Sequence, residues 1–446
     1  MRSAASTPQP DSPGAPAGRP GAHAAPRRGR LGPVASIAVL ASILVSLLAA
    51  SSAPTPLYAI YQQRWGFSPV TVTVVFGVYA VAVLLSLLVF GKISDHVGRR
   101  PVLVTALLGQ ALAMIVFVKA GGVDALLAAR VLQGVSTGAA VGALGAGMLD
   151  IDARRGGFLN SLAPTIGTAG GALVSGLVVQ YLPSPTRLVY LLLLGVFVLQ
   201  ALAVLVMGET VSRKRGALAS MAPEFKLPRS ARAAVAIAAP VMFAVWALTG
   251  LYAALGPAIV RTLVHSSSVV WGGLPLFVLA SSAGLAVVVL RGTATRKVMF
   301  IGIGALAVGV LITLVSVASG GGGTLSVTGF FIGAAVSGFG FGGGFQGGIR
   351  LVVPLVEPHE RAGVLSLLYV ICYVGLGVPA VIGGLLVVHG GGLVATTREY
   401  GGAVVLLALV ALTGLLVSGR RAERVAVLRP ADLAVTPAPS TEMAER

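Results

Sequence analysis

The sequence predicts an all-α membrane protein, with twelve transmembrane helices in two six-helix lobes. Three observations lead there. Of the 446 residues, 56% are hydrophobic and only 10% charged, against roughly 25% charged in soluble domains, and the mean hydropathy is +0.93. The apolar residues fall in runs long enough to cross the hydrocarbon core, for which a helix needs about 20 residues. The Lys and Arg gather between alternate runs, the asymmetry that orients membrane helices. A soluble fold of this length has no way to hide so much apolar surface, and barrel strands would be shorter and half polar. A cytosolic enzyme, a disulfide scaffold (the one cysteine is Cys372) and a disordered chain are excluded.

Residues 1–32, rich in Pro, Ala, Gly and Ser with scattered Arg and no apolar periodicity, predict a disordered tail. The run that follows has the basic flank of a signal peptide. It is longer than an h-region of roughly 7–15 residues, and its small-residue stretch Ala50-Ser51-Ser52-Ala53 is followed by Pro54. It is therefore taken as the first span. Six spans are expected at 33–57, 69–91, 101–119, 124–149, 156–181 and 187–208, making a first lobe at 33–208. Residues 209–232 form a basic linker with Arg213, Lys214, Arg215, Lys226, Arg229 and Arg232. Six more spans, at 233–259, 269–290, 298–318, 325–349, 362–388 and 401–418, make a second lobe at 233–418, and 419–446 is a second tail.

With the N-terminus inside, 26 of the 32 Lys and Arg lie on the cytoplasmic side, which places both termini there. Arg64, Lys119, Arg187, Arg261 and Arg398 lie outside, and Arg130 lies within a span. This distribution accounts for the net charge of +18 without a nucleic-acid partner. The even count, equal halves and central linker predict a duplicated unit around a midplane cavity, a transporter architecture. No Gly-x-x-x-x-Gly-Lys-Ser/Thr sequence occurs, so ATP-driven transport within this chain is not expected. No Cys/His cluster points to a metal, no cofactor is expected, and no paired acid and base or metal cluster points to an enzyme.

Between spans two and three the chain reads Gly91-Lys92-Ile93-Ser94-Asp95-His96-Val97-Gly98-Arg99-Arg100. Gly91 and Gly98 permit a tight turn. Asp95 is suited to accept helix N-terminal N–H groups, and Arg99 to pair with a carboxylate at another helix end. Asp150, at the end of span four, is the expected partner. An ordinary positive-inside loop would explain Arg99 and Arg100 but not the acid and two spaced glycines. The loop resembles the signature of the major facilitator superfamily, Gly-x-x-x-Asp-Arg-x-Gly-Arg-Arg, with His96 where Arg is usual.

Span four carries Arg130-Val131-Leu132-Gln133-Gly134. A charge within a span marks function by default, and Gln133 lies one turn away to help satisfy it. The alternative is an Arg130 that snorkels to the outer interface. The segment is similar to the superfamily's Arg-x-x-Gln-Gly, whose Arg is associated with proton coupling. Span five, with Gly167, Gly170, Gly171 and Gly176, is similar to the antiporter motif of superfamily exporters, although Ala172 stands where Pro is usual and Ser175 replaces a Gly. A small-residue packing face explains the same residues, and the same holds for Gly338–Gly344. The first span ends Pro54-Thr55-Pro56-Leu57-Tyr58, and many bacterial members share Thr-Pro-Leu-Tyr. The prolines break the helix and free backbone groups. Loop 291–297 reads as a decayed copy of loop 91–100 without the acid.

By these assignments all 14 acids lie in tails, loops or span ends, so a proton carrier is not evident. An aromatic cavity with few charges suits neutral or amphipathic organic solutes, and Arg130 would suit anionic ones. Candidate lining residues are Tyr58, Tyr79, Asn160, Trp246, Tyr252, Gln346, Tyr369 and Tyr373, each equally compatible with packing. The resemblance covers about residues 33–418. It implies a monomeric alternating-access transporter of the major facilitator fold in a bacterial plasma membrane, exporting drug-like or metabolite molecules with protons as coupling ion. A non-transporting sensor or scaffold on the same fold, an importer or facilitator, and more weakly a membrane enzyme, remain as alternatives.

Overall fold

A computed structural model describes residues 31–223, 227–266, 268–319, 323–357 and 360–427, with side chains to residue 418. These residues hold fifteen α-helices and no strand. The first half has α1 (Pro33–Ser52), α2 (Tyr58–Trp65), α3 (Pro69–Phe90), α4 (Ser94–Val97), α5 (Arg99–Val118), α6 (Val123–Ile151), α7 (Ala153–Tyr181) and α8 (Pro185–Val206). The second has α9 (Arg232–Ala254), α10 (Gly256–Val264), α11 (Val270–Val289), α12 (Thr295–Ala318), α13 (Thr324–Val352), α14 (Arg361–His389) and α15 (Gly392–Val427). Twelve of them are long and apolar enough to cross a membrane. Their outer faces carry exposed aliphatics such as Leu199 and Val315, the surface a lipid-facing helix presents.

The helix starts follow local chemistry. Pro33, Pro69 and Pro185 open α1, α3 and α8 at their first positions, where a missing N–H matters least. Only Asp152 separates α6 from α7. It leaves the helical conformation, and its carboxylate accepts the N–H groups of Arg154 and Arg155 at 3.0 and 2.9 Å. This N-cap starts the fifth span at 153 and not at the expected 156. The twelfth helix likewise begins at Gly392, not 401. Its exposed Arg398 and Glu399 interrupt the apolar run without interrupting the backbone, and 419–427 continue the same helix. Most of the expected tails, 1–30 and 428–446, lies outside the described residues.

The halves repeat one packing scheme. In the first lobe α1 packs on α7, α3 on α6, and α5 on both α6 and α8. In the second, α9 packs on α14, α11 on α13, and α12 on both α13 and α15. In each, the first span breaks into a short helix, α2 or α10, that ends in a left-handed residue, Gly66 or His265. Each lobe has its own apolar core.

The lobes meet along two equivalent seams, α3 on α14 and α7 on α11. Small residues make the approach possible. A β-carbon on Gly384 would overlap Thr73, and one on Gly273 would overlap the Ala172 carbonyl. Gln180 Oε1 accepts the Val269 N–H at 3.0 Å and the Ser268 hydroxyl at 3.2 Å. These contacts run from the end of the bundle farthest from the 91–98 loop to about its middle.

Candidate transport site

Arg130, Gln133 and Thr137 lie on one face of α6, the spacing that brings side chains into line on a helix. All three are buried, Arg130 with 0% exposure; it does not snorkel. Its Nη1 donates to Gln133 Oε1 at 2.7 Å and to the Ser51 carbonyl at 3.0 Å, and its Nη2 donates to the Tyr58 hydroxyl at 2.6 Å. Gln133 Nε2 donates to the Ala50 carbonyl at 3.0 Å. Gln110 Nε2, from α5, donates to the Gln133 carbonyl and to Thr137 Oγ1 at 2.9 and 2.8 Å.

Pro54 and Pro56 explain why those carbonyls are available. A helical Ala50 carbonyl would accept from residue 54, and Pro54 has no N–H. The Thr55 N–H turns to the Ser52 carbonyl and the Leu57 N–H to the Pro54 carbonyl. That leaves Ser51 and Ala53 free, and the Ala53 carbonyl accepts the Ser175 hydroxyl. The proline-broken end of the first span thus supplies the Ser51 carbonyl and the Tyr58 hydroxyl to the buried guanidinium, a role beyond the freed backbone groups expected there.

Aromatic rings complete the enclosure. The Arg130 Cζ lies 5.1 Å from the Tyr79 ring centroid, and 5.9 Å from those of Tyr58 and Phe117, a cation–π shell. Behind it the Tyr61 hydroxyl donates to Tyr190 at 3.1 Å, and burial pushes the Tyr61 phenol up to about 12, so it stays neutral. Among the described residues no carboxylate pairs with Arg130, and its Nε is buried without a partner. The result is a dry cation held by neutral acceptors. Such a group attracts an anion and lowers the pKa of an acid brought beside it.

In the second lobe Trp246 stands among Tyr373, Phe345 and Phe341, with ring centroids at 5.0, 5.9 and 6.3 Å. Trp246 Nε1 and Gln346 Oε1 are both buried without a hydrogen-bond partner, leaving a donor unused in the ring cluster and an acceptor unused on α13, which also carries Phe341 and Phe345. Tyr79 and Tyr373 sit on α3 and α14, the helices of one seam, and Tyr369 lies one turn from Tyr373. Asn160, on α7, faces α6, where a β-carbon on Gly145 would stand 3.3 Å from its Oδ1. Two expected lining residues are placed differently. Tyr252 packs on Phe330 with its hydroxyl 3.0 Å from Thr313 Oγ1, inside the second lobe's core, because that phenol finds its partner on α12. Tyr58 belongs to the Arg130 cradle.

The 91–100 loop is a bonded knot within the first lobe. Arg99 is buried and pairs with Asp95, with Asp150 (3.3 Å) and with Ser94 Oγ (2.6 Å). Gly98 takes φ +103°, a conformation that favours glycine. Asp95, expected to meet a helix terminus or Arg99, meets Arg99 and caps no helix. Glu209 caps α5, accepting the Arg99 and Arg100 N–H groups at 2.9 and 3.1 Å from just beyond α8. The Arg100 guanidinium bonds the Val204 and Leu205 carbonyls at the end of α8. Sequence reasoning missed Glu209. Its signal was an isolated acid directly after a span, closely followed by a run of cations.

Of the antiporter-like glycines, Gly167 and Gly171 bring α7 onto the backbone of α1 at Val45 and Ala49, and Gly176 faces Val270 across the seam. The close approach also aligns Ser52 Oγ with the Thr168 carbonyl at 3.0 Å. Gly91 sits at the end of α3, where a β-carbon on Gly142 of α6 would touch its carbonyl.

A family model described as Major Facilitator Superfamily matches residues 38–294. No curated protein matches the sequence. Among solved structures the chain resembles the nucleoside transporter NupG. A point mutant of that transporter matches with 13% identity, a TM-score of 0.66, and coverage of 86% of this chain and 100% of that one. A second NupG structure matches with 14% identity, a TM-score of 0.64, and coverage of 86% and 99%. At such identity the likeness speaks for the fold.

Proposed function

Because the chain belongs to the Major Facilitator Superfamily, we propose that it is a secondary active transporter moving a small organic solute by alternating access. In this assignment it is a monomer in the bacterial plasma membrane, with both termini cytoplasmic, and exports drug-like or metabolite molecules in exchange for protons. The observation that carries it is the pair of seams. The seams run from Gly176 against Val270 and Thr73 against Gly384, at the end farthest from the basic loops, to Gly284 against Thr165, through residues small enough to slide and part. With the basic face inside, we read this as a state closed to the exterior. Arg130 supports the coupling. A buried cation with neutral acceptors changes the proton affinity of whatever acid or anion comes next to it.

The test is flux in vesicles of purified protein under an imposed pH gradient, against a panel of neutral, anionic and cationic organic compounds. Wild type should move at least one neutral or anionic compound in the sense opposite to the proton gradient, and Arg130→Ala, reconstituted at the same density, should not. A panel in which nothing moves would sink the assignment. Uptake is the second reading. It is favoured by the free Trp246 N–H among aromatic rings, a setting for a planar heterocycle with an acceptor edge. Nucleosides therefore belong in the panel, and the direction of flux separates the two. Cysteines placed at Ser6 and Ser440, in a Cys372→Ala background, should resist an impermeant thiol reagent in whole cells.

A further inference from the structure

The face opposite the 91–98 loop carries few cations, and three of them converge. Arg64 in the last turn of α2, Lys119 at the C-cap of α5 and Arg187 in the first turn of α8 line one cavity of about 50 Å³. They arrive from three separate segments of the first lobe. No acidic residue lines the cavity, and among the described residues none of the three makes an ion pair. Like charges brought together repel. Arg187 is worse placed still, since the start of α8 is the positive end of that helix's dipole. All three are exposed, yet they come from separate segments to line one cavity.

The rest of the lining favours an oxyanion. α8 opens on Pro185 with no side-chain cap, and Thr186, in the turn where a helix start leaves N–H groups unpaired, lines the cavity. Tyr61, Phe117 and Trp65 also line it, Trp65 stacked on Tyr61 with ring centroids 4.8 Å apart. A cavity of 50 Å³, where one water needs roughly 10–15 Å³, has room for a single tetrahedral oxyanion. The site lies where α2, α5 and α8 reach the end of the bundle, and Trp65 in its lining is a residue type that favours the membrane interface.

We propose that Arg64, Lys119, Arg187 and Thr186 form a binding site for a phosphate oxyanion, presented by the phosphodiester of an anionic lipid headgroup or by free phosphate. The proposal does not depend on what the central cavity carries.

The thermal unfolding midpoint of the full-length protein in uncharged detergent tests it, with phosphatidylglycerol, phosphatidylcholine or inorganic phosphate added. Phosphatidylglycerol should raise the wild-type midpoint and phosphatidylcholine should not. A rise with inorganic phosphate alone assigns the site to the free anion, and a rise only with phosphatidylglycerol assigns it to lipid. Each Arg or Lys replaced by Gln should weaken binding by about fivefold, and the triple variant Arg64→Gln/Lys119→Gln/Arg187→Gln should show no rise. Arg261→Gln/Arg398→Gln, also on this face by sequence, should keep it. If the triple variant is not recovered folded, Arg187→Gln alone is compared with wild type for phosphatidylglycerol retained in native mass spectrometry. No rise with either phosphate source, a rise that survives in the triple variant, or equal retention by Arg187→Gln would overturn the site.

Discussion

The two lobes trace the same path through the membrane but hold their helices together differently. α6 and α13 are equivalent helices of equal length, 29 residues each. The eighth residue is Arg130 in one and Phe331 in the other, the eleventh Gln133 and Ala334, the fifteenth Thr137 and Gly338. Where the first lobe places a hydrogen-bonded cation, the second places a ring packed on Trp271 and Phe330. The second lobe, with no cation at that place, presses backbone on backbone there, as α7 and α1 do in the first lobe. β-carbons at Gly302, Gly309, Gly333 or Gly340 would run into the facing main chain between α12 and α13. The difference teaches that this topology needs no buried cation: the second lobe buries neutral pairs such as Tyr252 with Thr313 and Tyr400 with the Ala247 carbonyl. The charged network of the first lobe is then open to explanation by its task.

The largest effect should come from spoiling the glycine contact. Gly309→Leu drives a side chain into the Gly333 and Ser337 backbone. Overpacking costs about 1–3 kcal/mol where neighbours can shift, and here they are main chain. Little monodisperse protein should be recovered from membranes. Gly304→Leu, on the same helix with nothing within 4 Å, should be recovered like wild type. Equal recovery of the two would mean that close packing does not set the second lobe's stability.

Next is the exchange that makes the lobes alike. Arg130→Phe installs the second lobe's residue in the first. It strands the Tyr58 hydroxyl and Gln133 Oε1, at about 1–3 kcal/mol for each buried group left unmet, but it also removes an unpaired buried charge. The variant should reach the membrane folded and fail to transport. Arg130→Lys keeps the charge but loses the planar fork that serves three acceptors at once, so it should be impaired too. Transport rates at matched surface expression decide; wild-type flux from Arg130→Phe would make the network structural only.

A smaller effect belongs to the helix cap. Glu209→Gln keeps the shape but removes the charge that faces the start of α5, at about 1 kcal/mol, read as a lowered unfolding midpoint. Arg350→Gln is its opposite number. That guanidinium bonds the Leu290, Thr293 and Arg291 carbonyls at the basic end of the second lobe, and the loss should be of similar or lesser size.

These contrasts also mark what the sequence made legible. Twelve spans, the break between halves and the Arg99–Asp150 pair follow from periodicity, charge and chain order, which are local. Arg130 and Gln133 were legible as a pair because they share one helix. The donors' other partners were not. The Ser51 carbonyl, Tyr58 and Gln110 come from other helices, and which faces meet is settled by packing. Glu209 was missed for the same reason, since its cap joins the end of span six to the start of span three. Tyr252 was misplaced because a tyrosine in a span carries no mark of whether its hydroxyl faces a cavity or a neighbouring threonine.

The smallest effect sharpens the comparison most, because it asks whether the first lobe's loop is held by charge or by fit. Asp95 is half-exposed, with 51% of its side chain accessible, whereas Arg99 is buried. An exposed partner contributes roughly 0–1 kcal/mol, so Asp95→Asn alone should lower the midpoint slightly. Asp150→Asn alone should do little more, since Asp95 still balances Arg99. The double variant is different in kind. It leaves Arg99 with Ser94 Oγ and neutral amide oxygens, a buried cation whose carboxylates are gone. The two changes should therefore be non-additive by about 0.5–3 kcal/mol in a cycle of four unfolding midpoints. Among the described residues the second lobe offers no such cycle, because there Arg350 bonds backbone carbonyls that no substitution removes. A strictly additive result would show that Ser94 and the turn at Gly98 hold Arg99 by fit alone, and the loop would then differ from its counterpart at 291–297 in sequence but not in how it is stabilised.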